Sequence, residues 1–109
     1  MAKLKMVTLE YLIERKENNE DFKLVEVLTE KQFKEGHIPG AINIVVDKIR
    51  DNAAKHLEKE DHIIVYCASY TCTASTRATR KLLELGYKNV VDFKAGKAGW
   101  QKAGFKLEQ

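Results

Sequence analysis

One stretch of the chain, Ile63-Ile64-Val65-Tyr66, limits the possible folds more than any other. The run is continuously apolar and rich in β-branched residues, which is typical of a strand buried on both faces of a parallel sheet. A short polar loop that begins at Cys67 follows it, and apolar residues then recur at a helical spacing between Ala74 and Leu85. A buried strand joined to a helix in this way predicts an α/β fold.

Three further segments have the pattern of strands, at residues 24–28, 41–46 and 90–93. Helical patterns separate them, so the crossovers should be right-handed and should place helices on both faces of a mainly parallel sheet. In such folds, binding and catalytic sites form at the carboxyl ends of the strands. We therefore expect the functional site in the turn between Tyr66 and Ala74.

Capping residues predict where the helices begin and end. Thr8 is expected to cap a first helix, and Thr29-Glu30-Lys31-Gln32 has the form of a capping box for a second. Asp47 is expected to cap a third helix. Gly86 stands where the C-terminal cap of the fourth belongs, and a last short helix is predicted near residues 97–102.

Length and charge indicate a single soluble domain over residues 1–109. Nineteen Lys and Arg stand against sixteen Asp and Glu, and the two signs alternate, as in Glu14-Arg15-Lys16-Glu17. This pattern indicates a mixed solvated surface rather than a nucleic-acid-binding patch. No segment has the length of a membrane span, and residues 1–6 lack the apolar core of a secretory signal. We expect a cytoplasmic protein that binds neither nucleic acid nor membranes.

The loop after the buried strand contains both cysteines of the chain, Cys67 and Cys72. A turn of small and hydroxylated residues before a helix N-terminus directs backbone N–H groups inward and forms an anion cradle. The same field should lower the pKa of Cys67, make it a nucleophile and hold a persulfide. The alternative is that Cys67 is a buried apolar residue that ends a core strand. No metal is expected, because a structural zinc site requires four Cys or His ligands.

A cysteine-dependent phosphatase or arsenate reductase would use such a cradle with a Cys-x5-Arg loop, because the phosphoryl group needs a bidentate guanidinium. The position of that arginine is occupied by Thr73, and the next arginine, Arg77, lies inside the predicted helix. This disfavours phosphoryl transfer. Arg77 and Arg80 are expected on the helix surface, where one of them could lend positive potential to the mouth of the site.

Three segments of the chain resemble a rhodanese domain. The first comprises residues 24–28 and 33–44, with the run Gly-His-Ile-Pro-Gly-Ala at 36–41. The second is Ile64-Val65-Tyr66-Cys67 with its loop and helix. The third is Leu85-Gly86-Tyr87-Lys88-Asn89-Val90, followed by 93–96 and Trp100. The order and spacing of these segments strengthen the resemblance.

The resemblance implies a five-stranded, mostly parallel sheet with helices on both faces. It also implies a sulfurtransferase in which Cys67 cycles between thiol and persulfide, with thiosulfate or a low-molecular-weight persulfide as donor and a thiophilic acceptor. No metal or organic cofactor is required. The substrate-binding positions would be the six residues after the nucleophile, Ala68, Ser69, Tyr70, Thr71, Cys72 and Thr73.

The chain departs from the family pattern at two places. Many members read Asp-Val-Arg where residues 26–28 read Glu-Val-Leu, which removes a common ion-pair partner. Many also carry Arg or Gly near positions 70–72, where this chain has Tyr, Thr and Cys. The lost positive charge makes a persulfide donor at least as good a candidate as thiosulfate.

Cys72 has two interpretations. It is either a small residue that fills the loop, or a resolving thiol that attacks an oxidised or sulfur-loaded Cys67 and forms a disulfide. The second interpretation leaves an alternative to the enzyme: a non-turnover sulfur carrier, or a redox- or persulfide-sensing module, that signals or delivers sulfur to an acceptor protein or thiol. His37 is interpreted as a turn residue rather than an acid–base partner, and Trp100 as a core or lid residue.

Overall fold

The computed structural model describes residues 4–109 and contains a sheet of five strands, all paired in parallel. In chain order the strands are β1 (Met6–Val7), β2 (Lys23–Glu26), β3 (Ile42–Asn43), β4 (His62–Tyr66) and β5 (Asn89–Phe93). Their spatial order is β1-β5-β4-β2-β3, so β4 is central. The fold class expected from the sequence and the resemblance is confirmed.

Five α-helices accompany the sheet. They are α1 (Leu9–Glu17), α2 (Glu30–Glu35), α3 (Ile49–His56), α4 (Ala74–Glu84) and α5 (Gly96–Lys102), and a short 3₁₀ helix, Val46–Lys48, precedes α3. None of these helices in the described part of the chain is both long and apolar enough to cross a membrane. Residues 1–3, on which the expectation of a missing secretory signal partly depends, lie outside the described residues.

The two faces of the sheet are covered by different helices. Alternate side chains of β4 point to opposite faces, because successive residues of a strand do so. Ile63 and Val65 pack in one apolar cluster with residues of α3 and α4. Ile64 and Tyr66 pack in a second cluster that includes residues of α1 and α5. Covering on both faces explains why the β4 sequence is continuously apolar.

The predicted caps are confirmed at three helix ends. The Thr8 side chain accepts from the Tyr11 N–H, and Thr29 and Gln32 form the reciprocal capping box. Gly86 follows α4 with a φ of +98°, in the left-handed region that favours glycine. Its N–H donates to the Leu83 carbonyl, which closes the helix end.

Asp47 does not cap α3, and that prediction is wrong. The chain already turns at the 3₁₀ helix, so the residue before α3 is Lys48, and it makes no side-chain cap bond. The Asp47 carboxylate is instead exposed, 4.0 Å from the Arg77 guanidinium. The same early turn shortens the predicted strand 41–46 to β3.

Candidate active site

Cys67 lies at the carboxyl end of the central strand and is fully buried. The two strands beside β4 end at the same edge of the sheet. Tyr66, the last residue of β4, pairs with Glu26 at the end of β2 and with Phe93 at the end of β5. The loop that begins at Cys67 is therefore flanked by the chain segments that leave β2 and β5. This is where the sequence places the functional site.

Backbone hydrogen bonds from helix α5 fix the start of the loop. The Lys97 N–H donates to the Cys67 carbonyl at 3.0 Å, and the Ala98 N–H donates to the Ala68 carbonyl at 2.9 Å. Gly96 makes this approach possible, because a Cβ at that position would lie 2.2 Å from the Cys67 carbonyl oxygen, and its φ is +61°. The two bonds fix the backbone on which the Cys67 sulfur is mounted.

The Cys67 sulfur is held by the first turn of α4. The Ser75 N–H, one of the helix's free amino-terminal amides, donates to Sγ at 3.4 Å. The Cys67 thiol in turn lies 3.6 Å from the Cys72 carbonyl oxygen and donates to it. The protonated Cys67 thiol thus donates a hydrogen bond that links the start of the loop to Cys72.

Contrary to the sequence-based expectation, the pKa of Cys67 is raised rather than lowered. Burial raises it most, and the hydrogen bond with Cys72 raises it further, whereas the Ser75 hydroxyl and N–H lower it. A single amide contact does not compensate for the removal of a thiolate from water. Burial of the thiol, which the sequence pattern does not reveal, therefore reverses the expected direction of the pKa shift.

Cys72 has the opposite shift. Burial by itself raises its pKa, but the hydrogen bond with the Cys67 thiol and the N–H groups of the loop outweigh this, so the pKa is lowered. Those N–H groups belong to Ala68 and Ala74, and the Lys94 ammonium adds positive charge. The downward pKa shift expected for Cys67 is therefore found at Cys72.

The other predicted substrate-binding residues form the outer part of the loop. The Cys72 N–H donates to the Ser69 carbonyl at 3.1 Å, which closes a tight turn. The hydroxyls of Ser69 and Thr71 bond to each other at 3.0 Å, and Tyr70 is 69% exposed at the tip. Thr73 is exposed and precedes α4 without a side-chain cap bond.

Two residues at the site were not found by sequence reasoning, Ser75 and Lys94. The buried Ser75 hydroxyl has no nitrogen or oxygen partner among the described residues and favours the Cys67 thiolate. The Lys94 ammonium donates to the Cys72 carbonyl from the segment after β5. Lys94 could have been found from its position directly after β5, the strand beside β4. The carboxyl ends of neighbouring parallel strands lie at one edge of the sheet, so residues that follow them come close together.

Lys94 supplies the cation that the loop itself lacks. The arginines expected near the mouth do not: Arg77 faces Asp47, and Arg80 is exposed on α4. His37 lies elsewhere, stacked on the Phe33 ring at a centroid distance of 3.8 Å, and it bonds to the Phe33 carbonyl and to Glu108. Its turn role agrees with the interpretation from the sequence.

A buried polar group lies beneath the loop. The Tyr66 hydroxyl donates to Glu26 Oε1 at 2.8 Å and accepts from the Ile38 N–H at 3.0 Å. The Lys97 ammonium lies 3.2 Å from Glu26 Oε2. Lys97 thus provides a cation for Glu26. Many proteins with the rhodanese pattern have an arginine two residues after this position, where this chain has Leu28. Because the Lys97 N–H also holds the Cys67 carbonyl, this ion pair and the loop share one residue.

The family model for a rhodanese-like domain matches residues 8–103 of this chain. The chain belongs to the rhodanese-like family. Sequence relatives of this chain include proteins that are named as sulfurtransferases. The chain is therefore a member of a sulfur-transfer family.

Individual relatives differ in what their names describe. The chain is 31% identical over 103 residues to the HTH-type transcriptional regulator Rv0324 of Mycobacterium tuberculosis, covering 94% of this chain but only 44% of the regulator. It is 31% identical over 91 residues to thiosulfate sulfurtransferase 16, chloroplastic, of Arabidopsis thaliana, covering 73% of this chain and 74% of that relative. The rhodanese-like domain therefore occurs both in a larger protein and in one of similar size.

A solved structure shares the fold over most of the chain. The crystal structure of the BH2092 protein from Bacillus halodurans matches with a TM-score of 0.86 at 33% identity, covering 95% of this chain and 76% of that one. The parallel sheet and its covering helices are thus those of a rhodanese-like protein.

Proposed function

We propose that this domain is a sulfurtransferase that carries sulfane sulfur as a persulfide on Cys67. The observation that carries the proposal is the position of the Cys67 sulfur, at the carboxyl end of the central strand and bonded by the Ser75 N–H of the following helix. The Cys67 thiol is buried, and the Ser75 hydroxyl beside it has no hydrogen-bond partner among residues 4–109, so this hydroxyl is free to donate to a bound sulfur.

The first half-reaction loads the cysteine. The Cys67 sulfur attacks the outer sulfur of the donor, the S–S bond of the donor breaks, and the Cys67 proton leaves with the departing group. With thiosulfate the products are the Cys67 persulfide anion and hydrogen sulfite; with a low-molecular-weight persulfide the second product is its thiol. In the second half-reaction an acceptor such as cyanide takes the outer sulfur and restores the Cys67 thiolate. The chemistry uses no metal or organic cofactor.

The residues around the loop have distinct roles in this proposal. Ser75 N–H and hydroxyl stabilise negative charge on the Cys67 sulfur as it develops, because fixed donors in a buried site do so without reorganisation. The exposed residues Tyr70 and Thr71 border the entrance. Lys94 attracts anionic donors to the mouth.

Turnover distinguishes this enzyme from a carrier. We would supply thiosulfate or glutathione persulfide with cyanide in excess and measure thiocyanate over many equivalents of protein. Continuous formation that is lost in Cys67→Ser supports the proposal. Equal rates for wild type and Cys67→Ser would overturn the assignment of the nucleophile.

The carrier or sensor alternative is favoured by one specific observation: the loop holds two cysteines, and the Cys67 thiol donates to the Cys72 carbonyl. Such a module would take up one sulfur per chain and retain it until a protein or thiol acceptor arrives. In the same assay it would keep its added sulfur and would not form thiocyanate over many equivalents of protein.

A further inference from the structure

We propose that Cys72 discharges the Cys67 persulfide within the loop, so that hydrosulfide is released and a Cys67–Cys72 disulfide forms. This inference rests on the proposed function, because it needs a persulfide on Cys67. It adds an activity that simple transfer does not include, the reductive release of sulfane sulfur. It also makes the domain dependent on a dithiol or thiol reductant for its next cycle.

The geometry brings the two cysteines together. The Cys67 thiol reaches the backbone of Cys72, whose carbonyl oxygen lies 3.6 Å from Sγ, and the Cys72 side chain packs against the apolar cluster that contains Cys67. The tight turn closed by the Cys72 N–H and the Ser69 carbonyl folds the loop back on the end of β4. Disulfides require this kind of close approach.

The surroundings of Cys72 suit a nucleophile better than a filler. The Lys94 ammonium donates to the Cys72 carbonyl, and its charge, together with the N–H groups of Ala68 and Ala74, lowers the pKa of the Cys72 thiol. Cys72 is also less buried than Cys67, so an external thiol has access to its sulfur when the loop must be reduced.

The step balances without an added oxidant. The Cys72 thiolate attacks the inner sulfur of the protonated Cys67 persulfide, the bond between the inner and outer sulfur breaks, and the outer sulfur leaves with its proton as hydrosulfide. The outer sulfur is reduced and the two cysteines are oxidised. A dithiol then reduces the disulfide by exchange, returns both cysteines to thiols and becomes a disulfide itself.

Discharge by Cys72 competes with transfer to an acceptor. When an acceptor is at hand, the outer sulfur leaves with it and the loop stays reduced. When none arrives, Cys72 removes the sulfur and the disulfide prevents another loading. The reductant then decides whether the domain continues to accept sulfur.

The test is one anaerobic loading without reductant or acceptor. Wild type, Cys72→Ser and Cys72→Ala receive one equivalent of glutathione persulfide, and intact mass and released hydrosulfide are followed. The chain contains only these two cysteines, so an internal disulfide has a single assignment. A non-reducing gel separates it from a bridge between chains, and circular dichroism verifies that each variant is folded.

In wild type, the added sulfur should be lost, two hydrogens should be missing from the mass, and one hydrosulfide per chain should appear. Both Cys72 variants should keep the added sulfur and release no hydrosulfide. Equal retention in wild type and the variants would overturn the role of Cys72. Failure of all three proteins to take up sulfur would instead overturn the proposed function. Reduction by a dithiol should then restore loading in wild type.

Discussion

At the scale of single residues, the place of Cys67 in the fold could be predicted, but the direction of its pKa shift could not. Its place followed from the sequence because it comes directly after the most apolar strand. Its raised pKa results from burial under the loop and from its bond to Cys72, and both depend on how the loop folds. Lys94 was missed for a related reason, since its ammonium reaches the loop from a segment 22 residues away from Cys72 in the chain.

The Lys94 charge leads to a testable effect on donor capture. Lys94→Met should slow the reaction with thiosulfate about fivefold at low salt, because a nearby unit charge contributes about 1 kcal/mol in water-exposed surroundings. The difference should shrink as salt is added. The measurement is the rate of loading against thiosulfate concentration at several ionic strengths.

Lys102→Met is the matched control for that experiment, because this lysine is exposed at the end of α5 and forms no ion pair in the structure of residues 4–109. It should leave the rate unchanged. If both variants lose the same factor, net charge rather than Lys94 governs donor capture.

Glu26 gives a pH dependence of stability. Burial raises its pKa, against the opposing effects of the Tyr66 hydroxyl and Lys97, so the folded protein holds this proton more tightly than the unfolded chain. The stability from the bound proton is complete below the ordinary carboxyl pKa of 4.5 and is lost as pH rises through the raised pKa. Glu26→Gln should therefore gain stability relative to wild type as pH rises through that window.

Urea unfolding of both proteins at a series of acidic to neutral pH values measures this difference. Glu30→Gln is a useful comparison, because the Lys34 ion pair lowers the pKa of Glu30 on the surface. The contribution of Glu30 to the stability of the wild type has the opposite pH dependence, because a lowered pKa adds stability at higher pH that is lost as pH falls. A Glu26→Gln difference that stays constant with pH would contradict the buried carboxyl account.

At the scale of elements, the local sequence pattern predicted the buried strand β4 and the helices with capping residues. It did not predict the bounds of the two-residue strands β1 and β3. β4 and the box at Thr29 are specified by their own residues. β1 has only two paired residues, and its pairing with β5 depends on a segment more than 80 residues away, so no local periodicity predicted it. The early turn at Val46–Lys48 likewise displaced Asp47 from its expected cap.

The junction between α5 and the loop depends on Gly96. Gly96→Ala would place a methyl group against the Cys67 carbonyl and force an alanine into the left-handed region. The conformation costs about 1–2 kcal/mol, and the overpacking adds about 1–3 kcal/mol. We expect a lower free energy of unfolding and slower sulfur loading, measured by urea titration and by intact mass.

Gly104→Ala separates the two contributions. Gly104 also has a positive φ, +96°, but a Cβ there meets no atom of residues 4–109 within 4 Å. It should therefore show the conformational cost alone and should load sulfur normally. Equal effects of the two substitutions would mean that the contact with Cys67 has no importance.

At the scale of the whole molecule, the strand order explains why distant segments form one site. Because β2, β4 and β5 are neighbours and parallel, the residues that follow them meet at one edge of the sheet. Sequence relatives of this chain are named as a transcriptional regulator and as a sulfurtransferase. The fold therefore positions a cysteine loop, and the residues of the loop decide what is done with it.

The position of the added sulfur is the most direct test of the central claim. Cys72→Ser protein loaded with glutathione persulfide and digested with trypsin yields one peptide, residues 60–77, that contains the loop. Because Cys67 is the one cysteine left in this variant, the Cys67→Ser protein, which keeps Cys72, is loaded and digested alongside it. The additional sulfur should be found in the Cys72→Ser peptide and be absent from the Cys67→Ser peptide. An additional sulfur that remains on the protein after Cys67→Ser, or that maps to any other residue, would contradict the account.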